Sequence, residues 1–192
     1  MSLELAMVGN CRVGALVDTA ARVVWMCVPG FDGEPVFCSL LDPVGGAGEF
    51  AVELEGCEGV EQAYLPNSAV LRTLLRGPGG GLVEVVDFAP RLHRHGRVIA
   101  PVSLVRIVRR LAGRVRVRVR LRPAAGRGAQ AAALRAGSSH VAVDLPAYPL
   151  RLTTDAPVTR VLDGEWFGLA SAVTLVLGPD ETLDDAPGET GR

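Results

Sequence analysis

The chain has 192 residues, enough for one large or two small domains, and at 48% hydrophobic residues it carries ample material for a core. A formal net charge of −1 excludes a global field that would recruit nucleic acid or a membrane surface. With 23 glycines, 13 prolines and no run approaching the length of a membrane span, the composition favours many turns and short strands.

The opening "MSLELAMVGN" lacks the basic start and long apolar run of a secretory leader, so a cytoplasmic setting is expected. Period-two alternation then recurs along the chain and predicts strands over 14–18, 22–27, 50–54, 69–76, 82–88, 102–111, 114–122, 132–137, 140–145, 158–162 and 167–178. One helix is predicted after the first hairpin, from Glu34 onward, where Val36, Phe37, Leu40 and Leu41 recur at helical spacing behind Pro35. The short links "GPGGG" (77–81), "AG" (112–113) and "GSS" (137–139) are expected to be antiparallel hairpin turns, since parallel strands need long crossovers. The fold class that follows is all-β, an antiparallel two-sheet β-sandwich with one short helix, spanning residues 1–178. Residues 179–192 are acid-rich, with Leu183 as their one large apolar residue, and are expected to be a linker or tail.

Candidate chemistry is sparse. In "RVRVRVRLR" the residues Arg114, Arg116, Arg118, Arg120 and Arg122 share one strand face. A row of Arg can contact phosphates, but the near-zero net charge favours pairing with acids on neighbouring strands, and no nucleic-acid partner is expected. His93 and His95 lie in "RLHRHGR" without a second ligand cluster, so neither a metal site nor a cofactor is predicted. Cys11, Cys27, Cys38 and Cys57 form no Cys-x-x-Cys pair and are expected to be free, buried thiols, although four cysteines allow three pairings. Asp87 interrupts the apolar run "VVDFAP" and is expected to satisfy backbone donors at a strand end. No nucleophile elbow accompanies any serine, and no catalytic residue is assigned.

The densest cluster of large side chains is "VVWMCVPGFDGEPVFCSLLD" (23–42), which holds Trp25, Phe31 and Phe37 around a Pro/Gly corner. Aromatic residues in such loops often anchor contacts to a ligand or a neighbouring domain.

Taken in order, "GNCRVGALVD" (9–18), "WMCVPGFDGEPVFCSLLD" (25–42), "YLPNSAVLRT" (64–73), "VEVVDFAP" (83–90) and "SLVRIVRRLAGRVRV" (103–117) resemble the N-terminal domain of bacterial glucoamylase/trehalase-type enzymes of glycoside hydrolase family 15. The resemblance implies an antiparallel β-sandwich preceding a catalytic (α/α) barrel. That barrel carries two glutamates, a general acid and a general base, that hydrolyse α-glucosides with inversion. By the same resemblance this sequence ends before the barrel, and its role is non-catalytic. Its partner is the barrel, in cis or in trans, with an α-glucoside possible at a shared pocket. Trp25, Pro29, Phe31, Asp32 and Phe37 are then expected at an inter-domain or pocket-rim contact. The chain has Gly30 where the resemblance leads one to expect Arg, and Gly33 where it leads one to expect a helix-capping Ser. The alternative reading is a free-standing β-sandwich that binds a carbohydrate or a protein through the same corner.

Overall fold

A computed structural model describes residues 4–41, 46–94 and 96–181. The expected acidic tail therefore lies almost entirely outside the described residues. Two antiparallel sheets face one another. The first has seven strands, in the order β1 (Leu5–Gly9), β2 (Gly14–Asp18), β3 (Arg22–Val28), β5 (Glu49–Leu54), β12 (Arg116–Arg122) and β18 (Phe167–Gly168). Its seventh strand, β4 (Glu34–Phe37), pairs with the far half of β3.

The second sheet has eight strands. Their order is β15 (Ala133–Ala136), β16 (His140–Asp144), β17 (Leu150–Thr154), β19 (Val173–Pro179), β11 (Leu104–Ala112), β8 (Leu82–Phe88), β7 (Leu71–Arg76) and β6 (Gly59–Tyr64). Two short ribbons, β9 (Leu92–Arg94) with β10 (Arg97–Ile99) and β13 (Ala124–Ala125) with β14 (Gln130–Ala131), stand apart from both sheets. One α-helix, α1 (Val158–Asp163), occurs among the described residues.

Alternation builds the core directly. Val117, Val119 and Leu121 on β12 and Phe50, Val52 and Leu54 on β5 point inward from the first sheet. From the second sheet, Val83 and Val85 on β8, Leu104 and Val108 on β11, and Leu175 and Leu177 on β19 meet them. The chain passes between the sheets after β5, after β11, after β12 and on either side of β18, so neither sheet is a separate folding unit. A second, smaller apolar cluster lies on the outer face of the second sheet. There Val86, Val105, Ile107 and Val176 are buried beside Val70 and Phe88.

Among the described residues the inner faces contain one ion pair. Arg106 on β11 and Asp87 on β8 sit opposite one another in the strand register and are completely buried. Arg106 Nε donates to Asp87 Oδ1 at 2.7 Å and Nη2 to Oδ2 at 3.2 Å, a bidentate fork. The same guanidinium crosses the sandwich: Nη1 donates to the Phe50 carbonyl and Nη2 to the Ala21 carbonyl, each at 2.6 Å. Its carbon lies 4.8 Å from the centre of the Phe50 ring. Asp87 thus answers a buried cation rather than the backbone donors expected from the sequence.

Four further sequence expectations change. Residues 34–37 form strand β4, not the start of a helix. Pairing Glu34 with Val28 and Phe37 with Met26 extends the first sheet and buries both Val36 and Phe37, which a solvent-facing helical turn would not do. Conversely, "VTRVL" is α1. Pro157 precedes it, Val158, Val161 and Leu162 fall on one face against the core, and Gly164 closes it in the left-handed conformation. The "AG" link is not a hairpin turn, because β11 belongs to the second sheet and β12 to the first. The predicted strand over 167–178 is likewise divided between β18 and β19, which lie in different sheets.

Replacing Asp87 by Ala should lower unfolding free energy by about 3–5 kcal/mol in urea titrations, because it strands a buried guanidinium. The double change Asp87→Leu with Arg106→Met should recover part of that loss. A single variant as stable as the parent would show the pair to be dispensable.

Candidate functional site

The corner is made where β3 ends at Val28 and the chain turns through Pro29–Gly33 into β4. The Val28–Pro29 bond is cis, and Gly33 N donates to Gly30 O at 3.1 Å. A Cβ on Gly33 would lie 2.0 Å from the Val28 carbonyl oxygen. Glycine at this position is thus a requirement of a tight turn, which accounts for its standing where a helix cap was expected.

The structure divides the five expected contact residues. Phe37 is fully buried, with its ring 5.8 Å from that of Phe50, so it belongs to the core and presents no outer surface. Trp25 is half-buried, while Pro29, Phe31 and Asp32 are exposed. Phe31, at 57% exposure, lies across Gly14 beside Met7. A Cβ on Gly14 would meet Phe31 Cε1 at 2.7 Å and Met7 Cε at 2.8 Å.

Met7, Leu16 and Trp25 occupy opposite positions across β1, β2 and β3, so their side chains form one row on the outer face of the first sheet. Tyr64, at the end of β6, reaches this row from the second sheet. Its hydroxyl accepts from Met7 N at 2.7 Å and donates to Met7 O at 2.9 Å. Met7 and Tyr64 were not legible as site residues, since β1 (LAMVG) is apolar almost throughout and β6 (GVEQAY) is mostly polar, so neither shows alternation.

The other loops at this end converge on Asn10. Its Nδ2 donates to the carbonyls of Pro90 and Pro101, both at 2.8 Å, and its Oδ1 accepts from Arg12 N and Val13 N. One side chain therefore ties the β1–β2 turn to both ends of the β8–β11 loop, from which the β9–β10 ribbon projects. Among the exposed large apolar residues, Met7, Phe31, Tyr64, Leu65, Leu92, Val98 and Ile99 lie at this end. Strand β19 also finishes here: Asp180 N donates to Pro149 O, and Glu181 and Arg12 are close enough to Tyr148 to act on its phenol, whose pKa burial raises. The end offers contact area rather than a reaction centre.

The remaining candidates resolve into structural roles. Three of the β12 arginines face acids on or just after β5: Arg116 pairs with Glu55 at 2.9 Å, Arg118 with Glu53, and Arg120 with both Glu49 and Glu53, while Arg122 donates to the Gly46 carbonyl. Arg118 also stacks 4.5 Å from the Trp166 ring centre. His93 is exposed on β9, and His95 lies outside the described residues. Among the described residues no group of three or more His, Cys, Asp or Glu side chains is placed to hold a metal. No described helix is long and apolar enough to cross a membrane. An open cleft of about 570 Å³, lined in part by Glu55, Gly77, Arg114 and Arg116, lies at the opposite end of the sandwich.

None of the four cysteines is in a disulfide, and only Cys27 and Cys38 are buried, where all four were expected to be. Burial, with a contribution from Cys38, raises the pKa of the Cys27 thiol. Cys11, in the turn beside Asn10, and Cys57 are exposed.

The family model described as "Trehalase-like, N-terminal" matches residues 3–176. A trehalase from Mycolicibacterium smegmatis is 29% identical over 134 residues, which cover 63% of this chain and 20% of that protein. The chain thus matches about a fifth of that relative's length. No solved structure matches.

Two outcomes are expected. Gly33→Ala should destabilise the fold by about 1–3 kcal/mol, as overpacking does, measured by chemical denaturation. Brief iodoacetamide treatment of the native protein should label Cys11 and Cys57 and spare Cys27 and Cys38, as read by peptide mass spectrometry. Equal labelling of all four would mean that the corner opens readily.

Proposed function

The chain belongs to the trehalase-like N-terminal family, and from that premise we propose that it is the non-catalytic N-terminal domain of a glycoside hydrolase acting on α-glucosides. Its corner end packs against the catalytic (α/α) barrel and helps to shape the mouth of the barrel's pocket. The observation that carries this reading is the concentration of exposed apolar side chains at one end, with Phe31 and Met7 over Gly14 at its centre. Soluble proteins rarely leave such a cluster uncovered unless a partner meets it. The length of the matched trehalase leaves room for a catalytic domain beyond the matched segment.

The role of each residue follows from its support. Phe31 and Met7 are the knobs, and the half-buried Trp25 stiffens the sheet beneath them. Asp32 and Arg12 supply polar contacts at the margin. Phe37 acts from within, filling the core behind the corner.

Mixing this chain with a separately produced catalytic domain of the M. smegmatis trehalase should restore hydrolysis of trehalose or maltose that neither piece shows alone. Phe31→Ala should raise the chain concentration needed for half-maximal activity by about tenfold, the effect of losing a central aromatic anchor. No complementation, together with sugar binding by this chain alone, would instead identify a free-standing binding module.

A further inference from the structure

We infer that the β9–β10 ribbon is a cationic arm that grips an acidic rim on the same catalytic domain, an inference that rests on the docking reading above. The ribbon's strands pair only with each other. Leu92 and Ile99 face one another on one side of it and Val98 lies on the other, with exposures of 53%, 42% and 49%. Both faces of a two-stranded ribbon are thus open and carry large apolar side chains. An isolated two-stranded ribbon is at best marginally stable in water, so apolar residues on both faces point to a surface that receives it.

The charge of the arm selects the kind of surface. Arg91 at its root, His93 on β9 and Arg97 on β10 are all exposed, and the sequence contains no acidic residue from Phe88 to Val143. Several arginines elsewhere meet acids: Arg116, Arg118 and Arg120 on β12 pair with Glu55, Glu53 and Glu49, and Arg72 and Arg109 share Glu84. By contrast, the contact of Arg91 is the thiol of Cys11, 3.8 Å from Nη1. Complementarity therefore calls for carboxylates on the receiving surface.

The arm is also continuous with the corner. Asn10 holds the carbonyls on both sides of the ribbon's root, and Gly14, four residues on, is the floor under Phe31. One turn thus anchors both the root of the arm and the seat of Phe31.

The test is titration of the full chain against the catalytic domain of the M. smegmatis trehalase at about 20 mM and about 300 mM salt, conditions that span weak and strong screening. The unmodified chain should bind more tightly at low salt. The Arg91→Glu/Arg97→Glu variant should bind about tenfold more weakly at low salt and lose most of its salt dependence. Leu92→Ser/Ile99→Ser should weaken binding at both salt concentrations, and circular dichroism should show both variants folded. If both variants bind like the parent while Phe31→Ala weakens binding, the arm is overturned and the docking reading stands. If the unmodified chain does not bind the catalytic domain, both fail. Salt-dependent binding to heparin with none to the catalytic domain would overturn the arm's assignment in favour of a polyanion.

Discussion

The sandwich turns on one buried guanidinium. Two sheets of valine and leucine side chains can slide over one another at little cost, because apolar contact is non-directional. Arg106 removes that freedom. It is held by Asp87 within the second sheet and donates to the carbonyls of Phe50 and Ala21 in the first, so the relative position of the sheets is fixed by hydrogen bonds as well as by packing. A buried ion pair is often no more stable than an apolar replacement. Its service here is alignment: it sets β3 and β5 against β8 and β11.

That alignment reaches the corner. Ala21 lies just before β3, the strand that carries Trp25 outward and then turns at Pro29 toward Phe31. Phe50 lies under the guanidinium and packs against Phe37 on β4, the strand that leaves the same turn. The strands entering and leaving the corner are therefore both referred to one charge. A loop mounted in this way presents its aromatic side chain in a defined place, as a docking surface requires.

The outer faces are treated unequally. On one half of the first sheet Arg116, Arg118 and Arg120 of β12 are paired with Glu55, Glu53 and Glu49, which lowers the net field of that face. The other half carries Met7, Leu16 and Trp25 in an apolar row that runs toward Phe31. Apolar surface collects instead where the loops gather around Asn10, in a chain that matches about a fifth of a longer trehalase.

Sequence alone determined the β-rich class, the antiparallel character and most strand positions, because period-two alternation is a local property: 14–18 and 82–88 were legible residue for residue. It also determined that the β12 arginines share one face, and it singled out the corner. Local pattern could not distinguish a helix from a strand over short valine-rich runs, so "VTRVL" and the residues after Glu34 exchanged identities. Only the tertiary structure decided which strands share a sheet, and with it three further things. Asp87 meets Arg106 across a register, Phe37 turns inward while Phe31 stays out, and Met7 and Tyr64 join the corner from strands that show no alternation. Each depends on contacts between residues distant in the chain, which alternation does not encode.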